Sequence, residues 1–126
     1  MSGQIATTDA PQPFGPYSQG RELGGLVQVS GQIGFDRAAS EFATDVRGQT
    51  KQALANVKAV LLAANLDLSN LLMVRAFLAD PSDFAEFNSA YAELVPEPFP
   101  ARTTIFGGLP EGILVEIDAL AVRTDV

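Results

Sequence analysis

The 126-residue chain contains no histidine, no cysteine and no tryptophan. Without His or Cys there is no Ser-His-Asp or Cys-His nucleophile system, no zinc site built on nitrogen or sulfur, no disulfide and no thiol chemistry. What remains for chemistry is carboxylates, Arg, Lys, Tyr, Ser and Thr, Asn and the backbone. Positive charge is scarce as well: eight Lys plus Arg stand against 15 Asp plus Glu, for a net charge of −7. No basic surface is available to track phosphates, so nucleic acid is not an expected partner. Charged residues of both signs make up 18% of the chain and hydrophobic ones 47%, against roughly 25% charged in an ordinary soluble domain. So little charge leaves apolar surface on an isolated copy, and an oligomer that buries it is the expectation. Nothing approaches the run of about 18 apolar residues of a membrane helix. The first residues, MSGQIATTDAPQPFGP, have neither the basic start nor the apolar stretch of a signal peptide, so a cytoplasmic protein with no membrane partner is expected. The length suits a single domain, 1–126.

The pattern of the chain predicts strands, helix, strand, helix, strand, strand. In LVQVSGQI (26–33), Val27, Val29 and Ile33 share one parity and Gln28, Ser30 and Gln32 the other, a strand with one apolar and one polar face. Gly24-Gly25 predicts a turn from a short strand at 18–23. Between 46 and 64 apolar residues recur at spacings of three and four, an amphipathic helix with Thr44 or Asp45 as N-cap and Asn65 as a left-handed stop. LLMVRAFLA (71–79) is apolar on both parities except at Arg75, which predicts a strand covered on both faces. Asp80-Pro81 opens a second helix whose buried stripe is Phe84, Phe87, Tyr91 and Leu94. Strands follow at 102–106 and 113–123. Two strand-helix-strand crossovers place both helices on one face of a mixed sheet, an α+β fold, leaving the other face for water or another subunit.

Few residues stand out as chemical. Glu116 and Asp118 lie two apart on the last strand, so they leave one face roughly 7 Å apart; they read as ion-pair partners of Arg75, as acids simply exposed at the sheet edge, or as a general acid/base pair. Arg102, after Pro100-Ala101, suits bidentate capture of a carboxylate, and in a chain of net charge −7 a small anion needs such a local site. The alternative is a surface arginine paired with an acid. Tyr17 sits in the turn of GPYSQG (15–20). Ser30-Gly31 lies inside a strand, where glycine signals close approach of a ligand or backbone, or a bulge. Asn88 sits at the border of the second helix's buried stripe, as a loop cap or a ligand contact.

Taken in order, GPYSQG (15–20), VSGQIG (29–34), QTKQALANVKAVLLAANL (49–66), DPSDFAEFNSAY (80–91), FPART (99–103) and VEIDALAV (115–122) resemble the RidA/YjgF family of enamine/imine deaminases. The resemblance spans nearly the whole chain. It implies a chorismate-mutase-like α+β fold, a homotrimer with its sheets packed toward the centre, and three sites in the clefts between subunits. It also implies that Arg102 binds the carboxylate of a 2-imino or 2-enamino acid and that Glu116 positions or activates water. Tyr17, Ser30, Gly31 and Asn88 match the family's other site positions, whereas Asp118 matches a supporting acid outside the site. Two departures concern substrate range. Thr104 stands where some members have a cysteine, which leaves only backbone and hydroxyl groups for contact there. RTTIFGGLP is one residue shorter than the family spacing, with Phe106 where an acidic or small residue is common.

The activity so implied is cofactor-free, metal-free hydrolysis of a reactive imine to a 2-keto acid and ammonia, with Arg102 holding the carboxylate and Glu116 orienting water. A non-catalytic module that holds a small keto or amino acid in the same cleft, as a sensor, is the alternative. RNA cleavage, attached to some members of the family, is opposed by the acidity and the missing histidine.

Overall fold

A computed structural model describes residues 3–124. In chain order the elements are β1 (Gln4–Ile5), β2 (Gly20–Leu23), β3 (Leu26–Ile33), β4 (Phe35–Asp36), β5 (Glu41–Phe42), α1 (Val46–Ala63), β6 (Leu71–Leu78), α2 (Phe84–Leu94), β7 (Ala101–Phe106) and β8 (Val115–Val122). Six strands form one mixed sheet in the order β1-β2-β3-β8-β6-β7, and β4-β5 is a separate hairpin. β8 enters between β3 and β6 and is antiparallel to both, while β7 runs parallel to β6 at the edge. The expected architecture of two helices on one face of a mixed sheet is the one found.

α1 starts where the sequence signals it should, with the Asp45 carboxylate accepting the Gly48 N–H at 2.7 Å, and it stops at Asn65, whose φ of 61° is left-handed. Its buried residues Leu54, Val57, Val60 and Leu61 close over Val27 and Val29 of β3, Ile117, Ala119 and Ala121 of β8, and Val74, Ala76 and Leu78 of β6. Phe87 of α2 completes this core.

Four expectations are corrected. β6 is covered on one face only: Val74, Ala76 and Leu78 are buried, whereas Leu72 and Arg75 are exposed. Both helices lie on the same side, and among the described residues no helix covers the other. In α2 only Phe87 and Tyr91 of the four-residue stripe are buried, and Phe84 and Leu94 sit at its exposed margins; the helix is also preceded by a 3-10 turn, Pro81–Asp83, that Asp80 caps. β1 and the β4-β5 hairpin are two-residue strands, too short to leave a periodicity.

The fourth correction lies in β3. Its register with β8 runs Val29↔Ala119 and resumes at Gln32↔Ile117, so Ser30 and Gly31 together oppose Asp118. This bulge inserts one residue and inverts the alternation after it. Gln32 is consequently buried on the helix side, and Ile33 turns to the open face with Glu116, its cross-strand partner.

Candidate functional site

The bulge places the first cluster. Beyond it the open face carries Ser30, Gly31, Glu116 and Asp118, with Arg75 from the next strand and Tyr17 from the turn before β2. Arg75 and Asp118 are directly paired across β6 and β8. Arg75 Nε donates to Asp118 Oδ1 at 3.0 Å and Nη2 lies 2.9 Å from Oδ2. The ion-pair reading of the two acids therefore holds for Asp118 and not for Glu116. Among the described residues no donor is bonded to the Glu116 carboxylate. Burial raises the pKa of Glu116 above the ordinary 4.5, and repulsion from Asp118 adds to it.

Gly31 is required by that carboxylate. A Cβ on Gly31 would lie 2.6 Å from Glu116 Oε2 and 3.0 Å from its Cδ, a separation that side chains do not tolerate. Of the reasons for a mid-strand glycine, two apply together: a bulge and a close approach.

Ser30 works on the backbone. Its hydroxyl donates to the Ser18 carbonyl and its N–H to the Gln19 carbonyl at 2.9 Å, which fastens the turn carrying Tyr17 to β3. The Gln19 side chain accepts the Thr7 N–H at 2.7 Å and donates to the Pro11 carbonyl at 2.8 Å, holding the preceding segment. Tyr17 is half-exposed, and its hydroxyl oxygen accepts the Phe14 N–H at 3.2 Å, leaving the phenolic proton free to donate. Glu116 and Tyr17 border two hollows. One of about 450 Å³ extends toward Arg75, and one of about 270 Å³ is walled by Phe14, Ile33, Pro110 and Ile113.

Arg102 stands elsewhere. It pairs with Val74, a residue of the helix-facing core, whereas Glu116 pairs with Phe77 on the open face. The two lie on opposite faces of the sheet, and one chain does not bring them together. The Arg102 guanidinium carbon is 4.8 Å from the ring centre of Tyr91, 5.1 Å from Phe87 and 5.8 Å from Phe84. Its Nη2 donates to Asn88 Oδ1 at 2.7 Å. No carboxylate of the described residues lies within ion-pair distance of Arg102, so the surface-pair reading fails. A planar cation held over aromatic faces keeps its charge and most of its donors for another partner. Arg102, Asn88, Tyr91, Ala92, Phe99 and Pro100 line a cleft of about 420 Å³. At its side the Tyr91 hydroxyl is buried without a hydrogen-bond partner. Thr104, two residues along β7, is half-buried on the same face as Arg102.

The seven sequence-derived site residues thus divide into two groups, Tyr17, Ser30, Gly31 and Glu116 on one side of the sheet and Asn88, Arg102 and Thr104 on the other. Asn88 contacts the arginine, and the Ser30 hydroxyl is occupied by the Ser18 carbonyl. The aromatic cage was legible only as a helix stripe; the walls formed by Phe14 and Pro110 come from loops and left no pattern, and Ile113, expected to open the last strand, lies in the loop before β8. Among the described residues no group of acids is arranged to hold a metal ion, and no helix is long and apolar enough to cross a membrane.

Residues 7–123 match the family model described as endoribonuclease L-PSP. The chain is 42% identical to a 2-iminobutanoate/2-iminopropanoate deaminase of Salmonella typhimurium, over 98% of this chain and 99% of that protein. Its fold resembles that of Escherichia coli TdcF crystallised with serine, with a TM-score of 0.91 and 36% identity, covering 96% of this chain and 98% of that one. It also resembles RidA from an Antarctic Psychrobacter, with a TM-score of 0.89, 36% identity and coverage of 94% and 98%.

Proposed function

Because the chain belongs to the RidA/YjgF family, whose endoribonuclease L-PSP model spans residues 7–123, we propose that it hydrolyses 2-imino acids, and their enamine tautomers such as 2-aminoacrylate and 2-aminocrotonate, to 2-keto acids and ammonia. One observation carries this reading: among the described residues, neither the site's cation nor its carboxylate has a partner of opposite charge. Arg102 faces a cleft with donors to spare, and Glu116 stands in a hollow that raises its proton affinity. A carboxylate clamp and a proton carrier are what imine hydrolysis asks for.

In the proposed reaction Arg102 holds the substrate carboxylate through two parallel N–H donors. Glu116 takes a proton from a water molecule as its oxygen bonds to C2 of the iminium, and the C=N electron pair passes to nitrogen. Glu116 then returns the proton to that nitrogen. The C–N bond breaks, releasing ammonia as the C2 hydroxyl gives its proton to the Glu116 carboxylate and becomes the keto oxygen; ammonia takes that proton from Glu116 and leaves as ammonium. Tyr17 can donate to the developing hydroxyl. Such imines hydrolyse slowly unaided, so orientation supplies much of the gain, and none of these steps calls for a metal or organic cofactor.

Since the two groups lie on opposite faces of one sheet, the reaction needs Glu116 of one copy beside Arg102 of another. We read the assembly as a homotrimer with its open sheet faces inward and three intersubunit sites. The uncovered apolar residues of that face, Leu72, Met73, Phe77, Leu120 and Val122, support it.

The test is the decay of 2-iminopropanoate generated in situ. Native protein is expected to accelerate it, and Arg102→Ala to lose at least 100-fold in kcat/KM, the scale of a lost charge-assisted clamp (about 3 kcal/mol). Equal rates for the two proteins refute the role of Arg102. Saturable binding of keto acids with no acceleration over buffer would instead identify a sensor.

A further inference from the structure

The hollow beside Glu116 has a chemistry of its own. Its walls are apolar where they are side chains of loops: Phe14, Pro110 and Ile113, with Ile33 from the strand. Its polar groups are Glu116, Tyr17 and the glutamines Gln12, Gln19 and Gln32, and among the described residues no cation lines it. The walls differ in how they are held. Ile113 is fixed: Gln49 donates to the Gly112 carbonyl at 3.0 Å and accepts the Leu114 N–H at 2.8 Å, gripping the backbone on both sides of it. Pro110 is joined to the same turn through its carbonyl, which accepts the Ile113 N–H at 3.1 Å. Opposite them, the Phe14 backbone is tied to the Tyr17 hydroxyl, while its side chain is 91% exposed. A phenylalanine this exposed on an anchored turn, at the rim of a cavity bordered by the candidate catalytic carboxylate, has apolar area free to close on whatever enters.

We infer that this hollow is the subsite for the side chain of the 2-imino acid, with Phe14 closing over it against the Pro110 and Ile113 wall, and that Phe14 determines specificity. The inference rests on the imine-hydrolase reading for the reaction but concerns a separate part of the ligand. Its chemistry selects aliphatic side chains. An acidic side chain would enter a largely apolar hollow beside Glu116, and the cation the reaction brings there, Arg102 of another copy, is taken by the substrate's own carboxylate, so the acid is rejected by desolvation and repulsion together.

The experiment compares imines generated in situ from alanine, leucine and glutamate, and in parallel titrates the corresponding 2-oxo acids by ligand-observed NMR. Native protein is expected to favour the leucine-derived imine over the glutamate-derived one by at least tenfold in kcat/KM. Phe14→Ala should lower the ratio of leucine-derived to alanine-derived kcat/KM about tenfold, the scale of a lost apolar contact in a pocket. Phe14→Leu, which keeps an apolar rim, should restore the ratio to within about threefold of native. The side chain at 14 is exposed, so folding of these variants is not at stake, and thermal melting checks it. A ratio that stays at the native value in Phe14→Ala overturns the subsite. Native protein that accelerates no imine, yet prefers the leucine-derived oxo acid and loses that preference in Phe14→Ala, overturns the hydrolase reading and supports the subsite. Neither acceleration nor binding overturns both.

Discussion

Substituting Gly31 by alanine separates positioning of the site from stability of the fold. The added Cβ would stand 2.6 Å from Glu116 Oε2, whereas ordinary contact begins near 3.4 Å, so the carboxylate must retreat by about 0.8 Å. It can do so, because the atom in the way is the far end of a flexible side chain. Gly31 is not among the glycines with positive φ, and alanine in a permitted conformation lowers the entropy of the unfolded chain, stabilising by about 0.4–1 kcal/mol. A catalytic group displaced by around 1 Å loses on the order of 100-fold in rate. Gly31→Ala is therefore expected to melt at the native temperature or slightly above it while its kcat for imine decay falls about 100-fold. The assay is a coupled oxidase reaction in which semicarbazide competes for the imine, run beside differential scanning calorimetry. A variant that keeps half or more of native kcat would show that the location of Glu116 does not matter. A variant that loses several degrees of melting temperature would show that the close contact is part of the core, and the reasoning would fail on that side.

Four further outcomes follow from other features of the molecule. Activity should fall in acid with a midpoint above the ordinary carboxylate value, since burial and then Asp118 raise Glu116, and Asp118→Asn should move that midpoint down in a pH–kcat/KM profile. The same shift fixes the sign for stability: a carboxyl whose folded-state pKa is raised costs stability as pH climbs from the unfolded value of 4.5 through the raised one. Glu116→Gln should thus be more stable than native at pH 7 and no more stable below pH of about 4 in urea titrations. Gln49→Ala removes a buried side chain that satisfies Ala43, Gly112 and Leu114, and should cost about 3 kcal/mol in urea unfolding by leaving those groups unpaired. Light scattering at micromolar concentration should give three times the chain mass, and a monomer would remove the composite site altogether.

Much of the fold was legible because the relevant signals are local. The Asp45 cap, the Asn65 stop and the three-and-four spacing of α1 depend on neighbours within a turn or two, and the apolar parity of β8 survives from end to end. The site was legible as residue types, Arg102 and Glu116 above all, through motifs whose order in the chain resembles a family. What failed to read was whatever depends on pairing between distant segments. The alternation in β3 looked unbroken until the register with β8 showed Ser30 and Gly31 sharing one partner, and that inversion buries Gln32 and turns Ile33 outward. β6 read as covered twice, although both helices lie on one side and its other face stays open in this chain.

Composition alone determined which chemistries are absent: a chain without histidine or cysteine has carboxylates, arginine, lysine, hydroxyls, amides and the backbone to work with. Hydrophobic periodicity determined the elements, because burial on one side of a helix or strand has to repeat at the pitch of its backbone. The partners of each charge were decided only by the tertiary structure. Two acids two residues apart are equivalent on a strand, yet cross-strand register gives Asp118 an arginine and leaves Glu116 alone in a hollow. Likewise β7, docked parallel to β6 at the sheet edge, turns Arg102 onto the rings of α2 and away from Glu116. Distance along a chain says nothing about which face of a sheet a side chain leaves, and here opposite faces of one sheet carry Arg102 and Glu116, the two halves of the proposed site.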